Sequence, residues 1–296
     1  MLLTGATGHV GGRLLQRLGA TRPVRCLVRS EATLDEAEEV VVGDVLDRSS
    51  LASALEGIDV AVYLVHALGS DGDFMDEERR GAVGFAAEAL TAGVGRIVYL
   101  GGLAHGDDLS DHLASRQEVG RILRTSGVPT VELRSSIVIG QGSASFELVR
   151  TLVDNAPALV LPDWVAAYCQ PIAVDDVVEY LAAAVDLPVE ESVVYEIGGA
   201  DRVTYRELIE TYAELTGKQL PVLQVTLPAL PFTSDDVPSL LARLVPERAR
   251  LWAKLIESLR FDSQTQSDRA LADFDVRPRG LREAIEAALE VRADVR

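Results

Sequence analysis

The first eighteen residues read Met1-Leu-Leu-Thr-Gly-Ala-Thr-Gly-His-Val-Gly-Gly-Arg-Leu-Leu-Gln-Arg-Leu18 and predict a short buried strand, a glycine-rich turn and the start of a helix. The spacing Gly5-x-x-Gly8-x-x-Gly11 suits a tight turn, a close approach of the backbone to a pyrophosphate, and helix-to-strand packing. The following helix would direct its N–H groups and positive dipole end at the phosphates. The stretch therefore predicts a dinucleotide-binding turn, although three glycines alone also suit a turn that binds nothing.

Composition narrows the class of protein. The chain has 296 residues, 48% of them hydrophobic, with a formal net charge of -18, and Lys218 and Lys254 are its only lysines. This length suits one large core, or a nucleotide-binding domain with a smaller satellite. The acidic balance argues against nucleic acid as a partner. It also fits a protein adapted to concentrated salt, although the arginine bias of a GC-rich genome explains part of the pattern.

Targeting and metal-binding signals are weak in this sequence. No apolar run is long enough to span a bilayer and no secretory signal is recognisable, so we expect a cytoplasmic protein without a membrane span. The two cysteines, Cys26 and Cys169, and four scattered histidines form neither a disulfide framework nor a set of metal ligands. We therefore expect no metal site.

Short strands alternate with helical patterns along the first half of the chain. The predicted strands are Val24–Val28, Val40–Val42, Val60–Val65, Arg96–Leu100, Thr130–Arg134 and, later, Val193–Ile197. The predicted helices include Phe74–Thr91, Gln117–Thr125, Phe146–Val153, Val177–Val185, Tyr205–Leu215, Arg248–Leu259 and Leu281–Val291, and Glu31–Glu39 is a charged helix or loop. This order predicts a Rossmann-type, doubly wound α/β fold with a parallel sheet.

The regular alternation of strand and helix patterns changes after Gly142, which suggests a second region. We predict that residues 1–142 form a nucleotide-binding domain to which residues 171–198 return. Residues 143–170 and 199–296 would form a smaller, mainly helical region on the substrate side.

Three motifs carry a resemblance to a known superfamily. Thr4-Gly-Ala-Thr-Gly-His-Val-Gly11, Gly43-Asp44 and Pro171-Ile-Ala-Val-Asp-Asp-Val177 resemble the extended and atypical short-chain dehydrogenases/reductases. Tyr63-Leu-Val-His66 and Ser110-Asp-His-Leu113 are similar to the NmrA-like branch, which includes NAD(P)-binding proteins and resembles the accessory nucleotide-binding subunit of respiratory complex I.

The resemblance implies a set of cofactor contacts. The pyrophosphate would lie against Gly5, Thr7, Gly8, His9 and Val10, and the adenine beside Asp44 and Val45. Leu64, Val65 and His66 would follow the cofactor toward its nicotinamide, which would lie on Leu100, Gly101 and Gly102. His66 has a second interpretation, as a residue that merely ends the fourth strand.

The end of the second strand bears on the choice of cofactor. Arg29-Ser30 stands where NAD-specific proteins typically carry an acidic residue that binds the ribose 2′-hydroxyl. Arg29 would instead pair with a 2′-phosphate, so the sequence favours NADP, with NAD possible. The alternative is that Arg29 is only a solvated charge.

The catalytic positions depart from the superfamily pattern. Where that pattern has Tyr-x-x-x-Lys, this chain has His112-Leu-Ala-Ser-Arg116, which keeps the one-face spacing and changes the chemistry. His112 is a candidate general acid, because imidazole titrates near neutral pH, and Arg116 a candidate for holding a ribose hydroxyl or a substrate anion. Alternatively, both belong to an exposed polar helix start. Glu78 with Arg79 is interpreted as an ion network on a helix face.

Ser143, Ser145 and Phe146 follow the sixth strand and are predicted to border the substrate cleft, with Trp164 covering it.

The first functional hypothesis is an NADP(H)-dependent oxidoreductase that transfers hydride to a small carbonyl, enone or quinone. The second is an NmrA-like sensor or assembly protein, whose bound nucleotide controls a protein partner. A nucleotide-sugar epimerase is third, because the Tyr-x-x-x-Lys pair is missing.

Overall fold

A seven-stranded parallel sheet in the order β11-β6-β5-β4-β1-β2-β3 forms the centre of the protein. The computed structural model describes residues 1–67, 73–106, 108–155, 159–162, 166–218, 222–225 and 249–293. The strands are β1 Leu2–Thr4, β2 Arg25–Val28, β3 Glu39–Val42, β4 Val60–Tyr63, β5 Arg96–Gly102, β6 Thr130–Ser135, β7 Val138–Ile139, β8 Leu159–Pro162, β9 Tyr168–Cys169, β10 Ile172–Ala173, β11 Val193–Ile197, β12 Val203–Thr204 and β13 Val222–Val225. The predicted Rossmann-type α/β fold is confirmed.

Helices cover both faces of this sheet. The helices are α1 His9–Gly19, α2 Arg48–Leu55, α3 Phe74–Thr91, α4 Asp111–Arg124, α5 Ala144–Asn155, α6 Val174–Asp186, α7 Tyr205–Leu215, α8 Ala249–Ser258, α9 Arg269–Asp273 and α10 Leu281–Ala293. α1 and α6 pack on one face, and α2, α3 and α4 pack on the other. Because successive strand residues point to opposite faces, Val98 and Leu100 of β5 join the first core while Ile97 and Tyr99 join the second.

The remaining elements build a smaller body beside the carboxyl edge of the sheet. Three two-stranded pairs, β7 with β10, β9 with β12 and β8 with β13, lie outside the main sheet. The core of the smaller body gathers apolar residues of α5, α7 and α10, including Phe146, Tyr212 and Ile285. α8 packs on α4 and α5, and its Trp252 and Leu255 meet Phe74 and Leu148.

Several predicted bounds agree with the structure, and others differ for identifiable reasons. α3, α7 and β11 have the predicted limits. α4 begins six residues earlier than predicted, because the Ser110 hydroxyl caps it by accepting a hydrogen bond from the N–H of Leu113. Residues 31–38 contain no helix, so of the two interpretations the loop is correct.

β11 extends the main sheet beyond β6, and α6 packs against α1, so these two elements belong with the main sheet and its helices. The division of the chain into domains stays a prediction. Among the described residues, none of the helices combines the length and apolar character that crossing a bilayer requires.

Candidate active site

A cleft crosses the carboxyl edge of the sheet where the strand order reverses. From β1 the chain moves outward to β2 and β3, whereas from β4 it moves the opposite way to β5 and β6. Two cavities of about 470 and 460 Å³ lie at this point, and both are lined by Gly5, Gly8, Leu64 and His66. Open α/β sheets bind their ligands at such a switch point. The shared walls make the two cavities one elongated site, with an outer end above β2 and an inner end below α8.

The glycine turn leaves no room for side chains at the centre of the cleft. Gly5 has a φ of +73°, and a Cβ there would lie 2.9 Å from the carbonyl oxygen of Leu64. The N–H of Gly8 donates to the Gly5 carbonyl at 2.9 Å, and a Cβ on Gly11 would overlap that same oxygen. α1 then starts at His9 and directs its first N–H groups toward the turn. This cradle fits the pyrophosphate of a dinucleotide.

Fourteen of the predicted cofactor residues line the cleft. Thr7, Arg29, Asp44, Val45 and Val65 lie at the outer end; His9, Val10, Leu100, Gly101 and Gly102 lie at the inner end; and Gly5, Gly8, Leu64 and His66 lie at both. Ser30 is exposed beside Arg29 and lines neither cavity. Their roles toward a cofactor stay predictions.

Arg29 presents its charge at the rim of the outer cavity. Its side chain is exposed, and within the described ranges it makes no hydrogen bond or ion pair. Other arginines on the same side are engaged, as Arg48 is with Glu88 at 2.6 Å. Arg29 is therefore a cation available to a ligand at this end of the cleft.

Arg116 lies under the inner cavity and is only 9% exposed, so the alternative of an exposed helix start is wrong for it. Its guanidinium stacks over the Tyr99 ring, 5.0 Å from the centroid, and donates through Nη2 to the carbonyl of Leu100. The Tyr99 hydroxyl in turn donates to the Arg116 carbonyl at 2.9 Å. Nη1 is buried without a partner among the described residues.

His112 also lines the inner cavity, but its environment opposes the predicted acid role. Burial, followed by the charges of Arg116, His66 and Lys254, lowers the pKa of His112 to about 3. Its Nδ1 lies 3.2 Å from the Ser258 hydroxyl of α8. The side chain is therefore neutral near pH 7, where a neutral imidazole forms hydrogen bonds and does not act as a strong acid.

The other two histidines of the cleft are shifted in the same direction. Burial and the Arg13 guanidinium lower the pKa of His9 to about 4. The His66 side chain is exposed to the cleft, and desolvation by the surrounding protein atoms and the Arg116 guanidinium lower its pKa to about 4, against an opposite effect of Glu78. None of the three supplies an imidazolium at neutral pH.

Glu78 is a cleft residue that the sequence interpretation placed wrongly. It is only 4% exposed, and its carboxylate accepts hydrogen bonds from the N–H of Ala67 at 3.0 Å and the Ser115 hydroxyl at 2.5 Å. Arg79 faces solvent and pairs with Asp76 instead. Glu78 follows buried Phe74 by four positions on α3, and this helical spacing was the available signal that it points inward.

Gly101 and Gly102 form a floor without side chains. A Cβ on Gly101 would lie 3.1 Å from Glu132 Oε1, and one on Gly102 would lie 3.3 Å from Leu113 Cδ2. Both glycines also line the inner cavity, so the end of β5 borders it with backbone atoms and no side chain. This arrangement fits the proposed nicotinamide position.

The predicted substrate residues have different outcomes. Ser143 and Ser145 line the inner cavity at the start of α5. Phe146 does not: it is 1% exposed and packs edge-on against Tyr212 at 5.7 Å, so its assignment to the substrate site is corrected to a core role. Trp164 lies outside the described residues.

The sequence predicts that residues 199–296 lie on the substrate side, but it identifies none of the residues there that line the cavity. Leu251, Leu255 and Leu259 close the inner cavity from above. The hydroxyls of Tyr205 and Ser263 lie 3.0 Å apart in its wall, and Ser136 lies 2.7 Å from Ser263. No group of metal-ligating side chains occurs in the described part of the chain.

The sequence is similar to that of a known protein family and to that of a named reductase. Residues 5–137 match the model of a family described as NAD(P)H-binding. The chain is 34% identical over 232 residues to the (4-alkanoyl-5-oxo-2,5-dihydrofuran-3-yl)methyl phosphate reductase of Streptomyces griseus. The aligned region covers 74% of this chain and 75% of that protein.

Solved structures share the fold at lower identity. The NADPH-dependent quinone oxidoreductase of Escherichia coli, solved with NADPH, is 19% identical with a TM-score of 0.76, covering 97% of this chain and 99% of that one. The triphenylmethane reductase of Citrobacter sp., solved with NADP(H), is 20% identical with a TM-score of 0.75 and the same coverage, 97% and 99%.

Proposed function

Because the chain belongs to the NAD(P)H-binding family of atypical short-chain dehydrogenases/reductases, we propose that it is an NADPH-dependent reductase of conjugated enones or quinones. The observation that carries this proposal is the continuity of the cleft. A glycine cradle and a free arginine occupy its outer part, and an apolar chamber with Arg116 and His112 occupies its inner part. The Streptomyces griseus relative is named as a reductase of an acyl-substituted furanone methyl phosphate, whose ring double bond is conjugated with carbonyl groups.

The residues of the outer cleft hold and select the cofactor. NADPH, when bound, supplies a hydride to an electron-poor carbon. The backbone of Gly5 and Gly8 would accommodate its pyrophosphate, and Arg29 would bind the 2′-phosphate by charge-assisted hydrogen bonds. Gly101 and Gly102, which line the inner cavity, would border the nicotinamide.

Arg116 and His112 stabilise the charge that develops on the substrate. When a hydride adds to the β-carbon of an enone, the electron pair of the double bond moves toward the carbonyl oxygen and forms an enolate. Arg116, whose Nη1 has no partner among the described residues, and His112 both line this chamber and would stabilise that oxygen. Ser258 holds the His112 ring through Nδ1, and in the tautomer in which its hydroxyl donates to Nδ1 rather than to the Lys254 carbonyl 3.1 Å away, Nε2 carries the N–H that the substrate needs. Such preorganised donors stabilise the charge that develops in the transition state.

The proton that completes the reduction comes from water. One hydride on the β-carbon and one proton on the α-carbon convert the enone into a saturated ketone. The depressed pKa values of His9, His66 and His112 remove these side chains as acids near pH 7. An enolate takes a proton from water readily, whereas reduction of a simple aldehyde requires an acid at the developing alkoxide. Enones and quinones therefore suit this cleft better than aldehydes.

The proposal is tested by following NADPH oxidation with a panel of enones, quinones and aldehydes. We expect turnover with the first two classes and little with aldehydes. Replacing His112 by Phe should lower kcat by about 100-fold, the usual effect of losing one oxyanion donor, while NADPH affinity stays unchanged. The variant His112→Gln, which keeps an N–H donor, should retain most of the rate. An unchanged rate in His112→Phe would remove His112 from the mechanism.

A second function is favoured by the absence of an acid among the cleft histidines. A protein that binds NADPH without consuming it, and that signals the bound state to a protein partner, needs no proton donor. Tight NADPH binding without turnover on any acceptor would support this sensor. An epimerase ranks third, because His112 and Arg116 replace its Tyr-x-x-x-Lys pair.

A further inference from the structure

The inner cavity has an unusual charge balance for so acidic a protein. The chain carries a formal net charge of -18, yet no Asp or Glu is found among the described residues that line this cavity. The guanidinium of Arg116 is its charged side chain, and the histidines around it are neutral at pH 7. An anionic group therefore meets no repelling carboxylate in the wall.

The start of α5 supplies further donors to this cavity. Ser143, Ala144 and Ser145 all line the cavity, and α5 is a helix of 12 residues. The N–H of Ser143 turns back to the Gly140 carbonyl, and the Ser143 carbonyl accepts the N–H of Glu147. In the part of the chain that the structure describes, the N–H groups of Ala144 and Ser145 have no partner. Free N–H groups at a helix start attract anions.

The Ser143 side chain is an independent indication of a ligand. It is only 7% exposed, and its hydroxyl has no hydrogen-bond partner among the described residues. Helix-capping serines normally use their hydroxyl to accept a bond from the first turn, as Ser110 does for α4. A buried hydroxyl that lines a cavity and lacks a partner is set to bind a group that enters the cavity.

We propose that the substrate carries an anionic oxygen group, a phosphate ester or a carboxylate, which binds at the start of α5 through Ser143 and the N–H groups of Ala144 and Ser145. This inference rests on the proposed function, because it names the class of substrate for the same chamber. The anion would anchor the substrate at one wall and leave its double bond facing the Gly101–Gly102 floor. Arg116 adds a favourable field from below.

The test compares three synthetic acylfuranones that share one ring: a hydroxymethyl compound, its phosphate ester and a carboxylate analogue. Calorimetry on the NADP⁺-loaded protein gives their dissociation constants without any turnover. We expect the two anionic compounds to bind about 10- to 100-fold more tightly than the neutral alcohol, and their relative affinities show which group the site prefers.

Two variants probe the wall itself. Ser145→Asp places a carboxylate in the first turn of α5, where it favours the helix and repels the anion, so the preference should disappear. Ser49→Asp makes the same change at the second residue of α2, which is the position that Ser145 has in α5. Because Ser49 lines neither cavity, this variant should keep the preference for the anionic compounds. Ser143→Ala should reduce it about tenfold, with NADPH affinity unchanged in all three variants.

The outcomes separate this inference from the proposed function. Equal affinities of the wild type for all three compounds, or a Ser145→Asp effect that is equal for all three, would overturn the anion site. Turnover without such a preference would leave the reductase standing and remove the anion site. A clear preference without turnover of any compound would keep the anion site and remove the reductase.

Discussion

At the scale of single residues, the environment decides what a sequence position can do. The spacing of His112 and Arg116 correctly places both on the cleft side of α4. The acid role inferred for His112 rested on the ordinary pKa of imidazole, which a sequence cannot correct for burial. In the structure, burial and the neighbouring cations Arg116 and Lys254, which belong to different helices, lower the pKa of His112. A free imidazolium is therefore costly here, and a neutral hydrogen-bonding role results.

The neutral His112 has a measurable effect on stability. Its pKa is about 3 in the folded protein against about 6.5 in the unfolded chain. Between these values the unfolded chain binds a proton that the folded protein does not, so the free energy of unfolding falls as the pH falls from about 6.5 toward 4. Replacing His112 by Gln should reduce this slope by about 1.4 kcal/mol per pH unit between about pH 4 and 6.

The measurement is urea unfolding of both proteins at several pH values. Titration of the other groups is common to both, so the difference in slope isolates His112. Identical slopes would show that folding leaves the pKa of His112 near its value in the unfolded chain, which would restore the acid role.

Arg29 gives a second prediction at this scale. Arg29→Ala should weaken NADPH binding by about 10- to 100-fold and leave NADH binding unchanged, because only the 2′-phosphate is lost as a partner. Fluorescence titration with each cofactor measures this selectivity. Arg48→Ala, at an exposed arginine paired with Glu88, is the matched control and should change neither affinity. Equal losses for NADPH and NADH in Arg29→Ala would contradict a 2′-phosphate contact.

At the scale of elements, the opening strand–turn–helix unit was predictable because its constraints are local. Each glycine of the turn avoids a clash with a backbone atom a few residues away or on the neighbouring strand. The limits of α3, α7 and β11 were predictable for similar reasons of periodicity and capping. Phe146 was misplaced because its direction depends on Tyr212 of a different helix, a contact that no local pattern contains.

A pair of glycine variants tests the packing of this unit. Gly11→Ala should lower the free energy of unfolding by about 1–3 kcal/mol, because its Cβ overlaps the Gly5 carbonyl. Gly84→Ala, within α3, should raise it by about 0.5–1 kcal/mol, because its Cβ makes ordinary contacts at 3.6 Å and alanine favours the helix. Chemical unfolding of the three proteins measures both. A Gly11→Ala protein as stable as the wild type would contradict the close packing of α1 on the turn.

At the scale of the whole molecule, the sheet could be predicted and the closure of the cleft could not. Alternating strands and helices specify a parallel sheet and place ligands at its carboxyl edge. Leu251, Leu255 and Ser258 reach the inner cavity from α8, far along the chain, and pack there through Trp252. Because such contacts are long-range, the sequence located the cofactor end of the site better than the substrate end.

The account as a whole depends on hydride transfer within this cleft. The most direct measurement uses NADPH labelled with deuterium at the transferred position of C4, bound to the protein and mixed with an acylfuranone phosphate. The account predicts that NADPH is consumed in equal amount to the substrate and that the product carries one deuterium at the carbon β to the carbonyl. Tight NADPH binding with the label retained on the cofactor, whatever the acceptor, would contradict the reductase and leave the sensor.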